Sequence, residues 1–243
     1  MVRYPSKMNA LKHLADIGVT FGTIIDVGTH AETPELRAMF PNQKHLLFEP
    51  AEEFFPKIAV NYAGMNYELF PLAVSDSDGE GKLKKIAISG DEISHSTLSS
   101  EDVTANLTNV CTARLDTLLR DRNDPQPYLL KIDVDGFEMP ILRGVDGIWD
   151  RVDCVIIEAT METFAERLSF IQQRNFRIFD IVDQCYYSGV FSQADLVMVS
   201  DRLVKQHSRL RPWETEEFAW EKWVPVPSYE AVVQSSFGVE KND

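Results

Sequence analysis

Two short segments of the chain contain residues whose types and spacing could bind a ribose. Gly28 directly follows an apolar run that ends at Val27, and Glu49 directly follows the next apolar run. A glycine at the end of a buried parallel strand lets the backbone approach a ligand that a β-carbon would push away. A carboxylate at the end of the neighbouring strand can accept hydrogen bonds from both ribose hydroxyls. Together the two segments predict a nucleoside site.

The residues around Gly28 separate two classes of nucleoside ligand. A dinucleotide site needs further glycines, whose amide groups face a pyrophosphate together with a helix N-terminus. This chain has Glu32 in that loop, which would repel a pyrophosphate. S-adenosylmethionine carries a sulfonium and an ammonium group, so an acid such as Asp26 can lie near it. The loop, with Thr29 facing the ligand, therefore favours S-adenosylmethionine over NAD.

A third segment concentrates carboxylates at Asp133, Asp135 and Glu138, directly after another apolar run. The end of a central parallel strand is where a doubly wound sheet presents catalytic groups. Crowded carboxylates raise one another's proton affinity, so Asp133 could act as a base or orient an acceptor. Alternatively, Lys131 and Arg143 only neutralise these acids. Magnesium binding is disfavoured because no third ligand has a definite spacing, and we expect no metal.

Two histidines are further candidates for proton transfer. His30 lies in the loop after Gly28, where it could border the acceptor or only hydrogen-bond the backbone, and we favour the backbone interpretation. His95 lies in the polar segment 89–109, which could fold over the cofactor or form a solvated surface loop. We keep both histidines as catalytic candidates behind Asp133.

The order of five segments resembles that of FkbM-type methyltransferases. The segments are 26–28 (DVG), 48–50 (FEP), 72–76 (LAVSD), 114–119 (RLDTLL), and 131–138 (KIDVDGFE) with 142–144 (LRG). The resemblance covers roughly residues 20–200. It implies S-adenosylmethionine as cofactor, with Pro50 beside Glu49 in the site and with Ala73 and Val74 beside the adenine. It departs from the family at Glu32, where a glycine is usual, and at Asp135, where a glutamate is usual.

The same resemblance implies an O-methyltransferase that acts on a hydroxyl of a sugar or secondary metabolite. Two other functions stay open. One is a methyltransferase fold kept as an inactive binding module, for which Glu32 is the motivating residue. The other is an NAD-dependent oxidoreductase, against which the missing glycines argue.

Composition bounds the partners and the location. The chain has 24 Lys and Arg against 38 Asp and Glu, and its formal net charge is −14. Such a charge repels a nucleic-acid backbone and an anionic membrane surface. We therefore expect a small-molecule or carbohydrate acceptor, no nucleic acid and no membrane partner. The three scattered cysteines and the absence of a long apolar run indicate a cytoplasmic protein.

The elements that must position these residues are those of an α/β fold. We expect a Rossmann-like class I methyltransferase with a mostly parallel seven-stranded sheet and helices on both faces. Residues 67–74 should form its third strand, and 81–88 a strand outside the core sheet. The predicted organisation is a docking helix in 1–20, the methyltransferase domain in 21–200, and an extension in 201–243 that packs on the domain. The three tryptophans of that extension could dock, cap the acceptor pocket or join two copies into a homodimer.

Overall fold

A computed structural model describes residues 4–86, 95–98, 107–224 and 226 of the chain. The strands are β1 (Thr23–Val27), β2 (Lys44–Phe48), β3 (Tyr67–Phe70), β4 (Ala73–Val74), β5 (Gly79–Ile86), β6 (His95–Leu98), β7 (Leu107–Ala113), β8 (Tyr128–Ile132), β9 (Val152–Thr160), β10 (Phe176–Tyr187) and β11 (Val190–Ser200). The α-helices are α1 (Lys7–Asp16), α2 (Pro34–Met39), α3 (Phe55–Asn61), α4 (Leu115–Leu119), α5 (Glu138–Arg143), α6 (Phe164–Gln172), α7 (Asp201–Gln206) and α8 (Pro212–Thr215).

Seven of the strands form one twisted sheet in the order β10-β11-β9-β8-β1-β2-β3. The pairs from β9 through β8, β1 and β2 to β3 are parallel, and β11 runs antiparallel to both β9 and β10. This arrangement confirms the predicted mostly parallel seven-stranded sheet. The chain passes from β1 to β2 and β3 on one side, and later adds β8 and β9 on the other. Such a reversal opens a crevice at the C-terminal ends of β1 and β8.

Helices cover both faces of this sheet because its central strands are apolar on both sides. In β1, Ile25 and Val27 belong to the cluster under α4, α5 and α6, whereas Ile24 belongs to the cluster under α1, α2 and α7. Successive side chains of a strand point to opposite faces, so Asp26 lies on the same face as Ile24. That position directs Asp26 toward α2 rather than toward α5.

The segment between β3 and β8 forms a second sheet in the order β4-β7-β5-β6. The sequence predicts one strand over residues 67–74, but the structure divides it after Phe70, so that β3 pairs with β2 and β4 pairs with β7. Pro71 explains the break, because proline has no N–H to continue a ladder. The predicted strand outside the core sheet is β5. Residues 87–94 and 99–106, which include most of the polar segment 89–109, lie outside the described residues.

The N-terminal helix packs on the sheet, whereas the tryptophans near the C-terminal end of the described residues are exposed. Helix α1 buries Ala10, Leu11 and Leu14, and Lys7 Nζ lies 2.7 Å from Asp195 Oδ2 on β11. After β11, α7 and the turn that follows bury leucines, whereas Trp213, Trp220 and Trp223 are 73%, 77% and 71% exposed. The predicted domain boundaries, and the packing of 201–243, stay predictions. No helix among the described residues is long and apolar enough to cross a membrane.

Candidate functional site

A cavity of about 310 Å³ lies at the C-terminal ends of β1, β2 and β8. It falls at the lower end of the roughly 300–1,000 Å³ typical of small-ligand sites. The sequence-predicted residues that line it are Gly28, His30, Glu49, Pro50, Ala73, Val74 and Asp133. Its other walls include Leu83 and Leu98 of the second sheet and Phe137 and Ile141 near α5. The structure therefore brings most of the predicted residues to one place.

Only glycine fits at position 28, because the backbone that follows β8 lies too close for any side chain. Its φ is +78°, and a β-carbon there would lie 2.0 Å from the carbonyl oxygen of Asp133. Few side chains adopt such a φ, and none fits at that distance. The sequence argument assigned the glycine to close approach by a ligand. The structure adds a second reason, which is the contact between the ends of β1 and β8.

Glu49 is buried and held by two backbone donors. The N–H of His30 donates to Oε2 at 2.8 Å, and the N–H of Ala51 donates to Oε1 at 2.9 Å. Burial raises the pKa of Glu49, although both backbone N–H groups and the Lys131 ammonium act against that rise. Each carboxylate oxygen can accept a second hydrogen bond. Glu49 is thus a fixed group with acceptor capacity left for a ligand.

His30 contributes both its backbone and its ring to the loop between β1 and α2. Its φ of +54° turns the N–H toward Glu49, and its ring packs on Phe54 with 3.7 Å between the ring centroids. A positive φ is uncommon for a residue with a side chain and recurs at functional sites. The structure uses the backbone N–H of His30 as a donor to the Glu49 side chain, and the His30 side chain borders the cavity, so its predicted role stays a prediction.

Asp26 and Thr29, both predicted to contact the cofactor, do not line this cavity. Asp26 is fully buried, and Oδ2 accepts a hydrogen bond from Thr33 Oγ1 at 2.8 Å. Thr29 Oγ1 donates to the carbonyl of Asp26 at 3.0 Å. These contacts support the loop, in keeping with the position that strand alternation gives to Asp26.

Lys131 joins the two sides of the cavity and was considered from sequence only as a neutralising charge. It lies opposite Asp26 in the register of β1 and β8. Its buried Nζ donates to the carbonyl of Gly28 at 2.9 Å and lies 3.1 Å from Asp26 Oδ1 and 3.7 Å from Asp133 Oδ2. Burial lowers the pKa of Lys131, but the two aspartates outweigh burial and raise it. The sequence signal that could have identified this role is the presence of a lysine in an otherwise apolar strand.

Asp133 and Glu158 form a hydrogen-bonded carboxyl pair in the wall of the cavity. For Asp133, burial acts to raise the pKa, but the Lys131 and Lys7 ammonium groups and the bond from Glu158 hold the pKa below its usual range. For Glu158, burial and then the negative charge of Asp133 raise the pKa to about 8. Two adjacent carboxyl groups disfavour each other's ionised form, so the pKa of one of them is raised. In the sequence, Glu158 follows an apolar run that should place it at a strand end facing the crevice, where a salt bridge would explain it equally well.

Glu138 and Arg167 form a buried ion pair behind this carboxyl pair. Arg167 Nη2 lies 2.5 Å from Glu138 Oε2, and Nη1 donates to the carbonyl of Glu158. Glu138 Oε1 also accepts from the N–H of Gly136 at 3.1 Å. The pair therefore fixes the segment after β8 against the end of β9. Arg143 pairs instead with Asp76, so it does not neutralise the three acids.

Asp135 lies at the rim of the cavity, with a φ of +55° in the turn after β8. Within the described parts of the chain, no group of three or more His, Cys, Asp or Glu side chains is arranged to hold a metal ion. His95 begins β6, and its role as a base stays a prediction, since its side chain lies outside what the structure describes.

Glu32, which departs from the family pattern, does not enter the larger cavity. It forms an ion pair with Arg37 of α2 and lines a second cavity of about 190 Å³ on the other side of the loop. The two cavities share Gly28, His30 and Asp133 in their walls. Glu32 therefore leaves the space beside Glu49 open.

The model of the methyltransferase FkbM domain matches residues 16–178. This stretch contains the glycine loop, Glu49 and both carboxyl groups of the pair. The chain belongs to the FkbM methyltransferase family. The predicted family is confirmed, and with the observed strand order the Rossmann-like class I methyltransferase fold is confirmed as well.

Solved structures of other methyltransferases are similar to the chain at low sequence identity. An rRNA methylase from Streptococcus thermophilus is 13% identical with a TM-score of 0.46, over 83% of this chain and 99% of that one. The 23S rRNA methyltransferase ErmE is 11% identical with a TM-score of 0.42, over 98% and 91%. The ribosomal protein L11 methylase from Lactobacillus delbrueckii subsp. bulgaricus is 12% identical with a TM-score of 0.42, over 79% and 76%. No curated protein sequence matches this chain.

The predicted partners require a correction. The expectation of a small-molecule or carbohydrate acceptor that excludes nucleic acid is wrong: the solved structures similar to this chain include an rRNA methylase and a 23S rRNA methyltransferase. The exclusion was based on the formal charge of −14, which sums over the whole chain. An acceptor meets the local field at the site, and that field can differ from the average.

Proposed function

We propose that this FkbM-family protein is an S-adenosylmethionine-dependent methyltransferase whose acceptor group is a hydroxyl. The observation that carries the proposal is the cavity at the strand ends, in which Glu49 and Asp133 face a common space. When bound, the cofactor supplies a methyl group on a sulfonium sulfur. The protein must then bind, align the acceptor and exclude water.

The residues of the cavity fit an adenosine moiety. Ribose needs a pair of acceptors, and Glu49 keeps acceptor capacity on both oxygens beyond its two backbone bonds. Adenine needs an apolar surface, and the wall beside Glu49 contains Ala73, Val74 and Ile141. We assign Glu49 and Pro50 to the ribose and Ala73 and Val74 to the adenine.

The loop of residues 28–30 would border the methionine end of the cofactor. Its backbone is fixed by Lys131, which holds the carbonyl of Gly28, and by Glu49, which holds the N–H of His30. A loop that is held before binding needs little further ordering when the ligand arrives. Asp26 would act through the loop, since its carbonyl accepts a hydrogen bond from Thr29 Oγ1 and its carboxylate accepts one from Thr33 Oγ1.

The acceptor half of the cavity would lie between β8 and the second sheet. Asp133 would orient the acceptor hydroxyl, since its lowered pKa keeps it ionised and able to accept a hydrogen bond. Leu83 and Leu98 add an apolar wall that limits the entry of water. His30 and His95 remain alternative groups for proton transfer.

Isothermal titration calorimetry with S-adenosylmethionine alone tests the cofactor assignment. We expect one binding event per chain with S-adenosylmethionine and none with NAD. Glu52→Gln serves as a control, because Glu52 is exposed near Glu49 and outside the cavity. Heat with NAD but none with S-adenosylmethionine would overturn the proposal, and heat with neither would favour a binding module of another kind.

Product mass tests the hydroxyl assignment. The protein is incubated with S-adenosylmethionine and hydroxyl-bearing acceptors that include oligosaccharides, RNA and aromatic metabolites. We expect a product heavier by one methylene unit, with fragmentation that places the methyl group on oxygen. A methyl group on nitrogen would contradict the hydroxyl assignment while supporting methyl transfer.

A further inference from the structure

We propose that Glu158 is the general base that takes the acceptor proton, and that Asp133 is its hydrogen-bonded partner. The proposal rests on the proposed methyl transfer and deepens it. Neither composition nor motif spacing singles out Glu158 for this role. It follows from where the end of β9 lies relative to β8.

The strand register places the two carboxyl groups side by side. Strands β8 and β9 are parallel, and Ile132 lies opposite Ile157, so Asp133 and Glu158 follow at equivalent positions. Both line the cavity that holds Gly28 and Glu49. A group that removes a proton must reach the acceptor directly. Glu158 lines the cavity in which the acceptor would bind, at the end of the strand next to the one that precedes Asp133.

The charges around the pair are unequal on its two sides. Asp133 faces the ammonium groups of Lys131, at 3.7 Å, and of Lys7. Glu158 faces the carboxyl groups of Asp135 and Glu138 as well as that of Asp133. The cations therefore favour the charge on Asp133, and the acids favour the proton on Glu158.

The remaining groups near Glu158 do not reverse this difference. Arg167 donates to the main-chain carbonyl of Glu158, while its other terminal nitrogen is bound to Glu138. Asp195 lies opposite Glu158 on β11, and its carboxyl is bound to Lys7. Gln193, which lines the cavity, is neutral. The shared proton therefore resides on Glu158.

A general base works best when its pKa lies near the working pH. Asp133 alone is a weak base, because its pKa is held below the usual range. The pKa of Glu158, raised to about 8, is better matched to proton removal. The Asp133 carboxylate then stabilises the proton that Glu158 has taken, through the bond between the two carboxyl groups.

The acceptor oxygen forms the new bond to the methyl carbon as the carbon–sulfur bond breaks, and the electron pair of that bond stays on sulfur. The hydroxyl proton moves to ionised Glu158. The products are a methyl ether, a neutral thioether and a protonated Glu158, which returns its proton to solvent. The pair must therefore be fully ionised before each turnover, and the rate should increase with pH through the pKa of Glu158.

Infrared spectroscopy of the full chain without ligand tests the pair independently of activity. The carbonyl band of a protonated carboxyl group should persist at neutral pH and disappear through an apparent pKa of about 8. Glu158→Gln should remove this band, and Glu166→Gln, on the exposed side of α6, should not. If no carboxyl group titrates above the ordinary range, or if the band survives in Glu158→Gln, the proposal is overturned.

Kinetics with a hydroxyl acceptor identified by product mass give the second test. Glu158→Gln should lower kcat by roughly 10²–10⁴-fold and remove its increase with pH, while binding of S-adenosylmethionine changes little. Asp133→Asn should move the pH dependence of kcat to lower pH, because Glu158 loses its neighbouring charge. Wild-type kcat in Glu158→Gln would overturn the proposal. Absence of S-adenosylmethionine binding by the wild-type protein would instead refute the proposed function, whatever the infrared result.

Discussion

The two halves of the cavity hold their buried carboxyl groups in different ways. Between β1 and β2, Glu49 is bonded to two backbone N–H groups that belong to fixed turns. Between β8 and β9, Asp133 and Glu158 are bonded to each other. Backbone donors do not titrate and stabilise the ionised form of Glu49, although burial still raises its pKa. A neighbouring carboxyl group instead favours retention of a proton, so the same residue types meet different electrostatic surroundings in the two halves.

The largest expected effect on the β8–β9 half of the cavity comes from removing the cation of Arg167, which is paired with buried Glu138 behind it. Arg167→Met should lower the free energy of unfolding by about 3–5 kcal/mol, because Glu138 is left charged, buried and unpaired. Arg177→Met removes an exposed ion pair with Asp201 and should cost no more than about 1 kcal/mol. Urea unfolding measures both changes. Equal losses would mean that the buried pair does not hold this half together.

The two halves of the cavity contact each other at Gly28, whose backbone lies against the carbonyl of Asp133. Gly28→Ala should cost about 2–5 kcal/mol, since it adds a clash with the Asp133 carbonyl to the strain of a positive φ. Gly64→Ala is a matched control, because Gly64 has a φ of +80° and open space around it. Its cost should be the backbone strain alone, about 1–2 kcal/mol. Thermal unfolding of the two variants isolates the clash, and similar melting temperatures would argue against it.

The β1–β2 half can be tested at Glu49 through ligand binding. Glu49→Gln should weaken S-adenosylmethionine binding about 10–100-fold, because a charged acceptor is lost and an amide N–H₂ group faces a backbone donor. The matched Glu52→Gln variant should bind like the wild-type protein. Calorimetry gives both affinities, and a circular dichroism melt shows whether Glu49→Gln is folded. Unchanged affinity in a folded Glu49→Gln protein would remove the ribose assignment.

The smallest expected effect is a pH dependence of stability that separates the halves. The pKa of Glu158 is raised in the folded chain, to about 8, so its protonation favours folding. This contribution is complete below the unfolded pKa and is lost as the pH increases through about 8. Between about pH 6 and about pH 9, the melting temperature of the wild-type protein should therefore fall more than that of Glu158→Gln. Parallel curves would mean that Glu158 titrates at its ordinary pKa.

Strand ends were the part of the site that sequence reasoning could locate. Apolar runs that end in Gly28, Glu49 and Asp133 predict a parallel sheet and a crevice, because parallel strands present their C-terminal ends at one edge. Side chains that act across elements were harder to assign. The role of Lys131 depends on its register opposite Asp26, and no local pattern specifies register between strands so distant in sequence.

Arg167 shows a signal that could have been used. It lies on α6 three residues after Phe164 and four before Ile171, within the apolar stripe that faces the sheet. A charged residue in such a stripe must find a buried partner. The partner, Glu138, could not be chosen from sequence, because several acids follow β8. The second sheet was also not predicted, because strand pairing could not be chosen from sequence. The predicted strand 67–74 is divided at Pro71, so that β3 pairs with β2 in the first sheet and β4 pairs with β7 in the second.

The second sheet also has a practical consequence for redesign. Its first and last strands, β4 and β7, are neighbours, and Val74 lies opposite Ala113. The intervening segment therefore leaves and rejoins the core at adjacent points, while Leu83 and Leu98 reach the outer wall of the cavity. A counterpart from another family member could be grafted between those two positions as a single cassette. Such an exchange would change the outer wall of the cavity without altering the strands that precede Glu49 and Asp133 or the strand that contains Glu158.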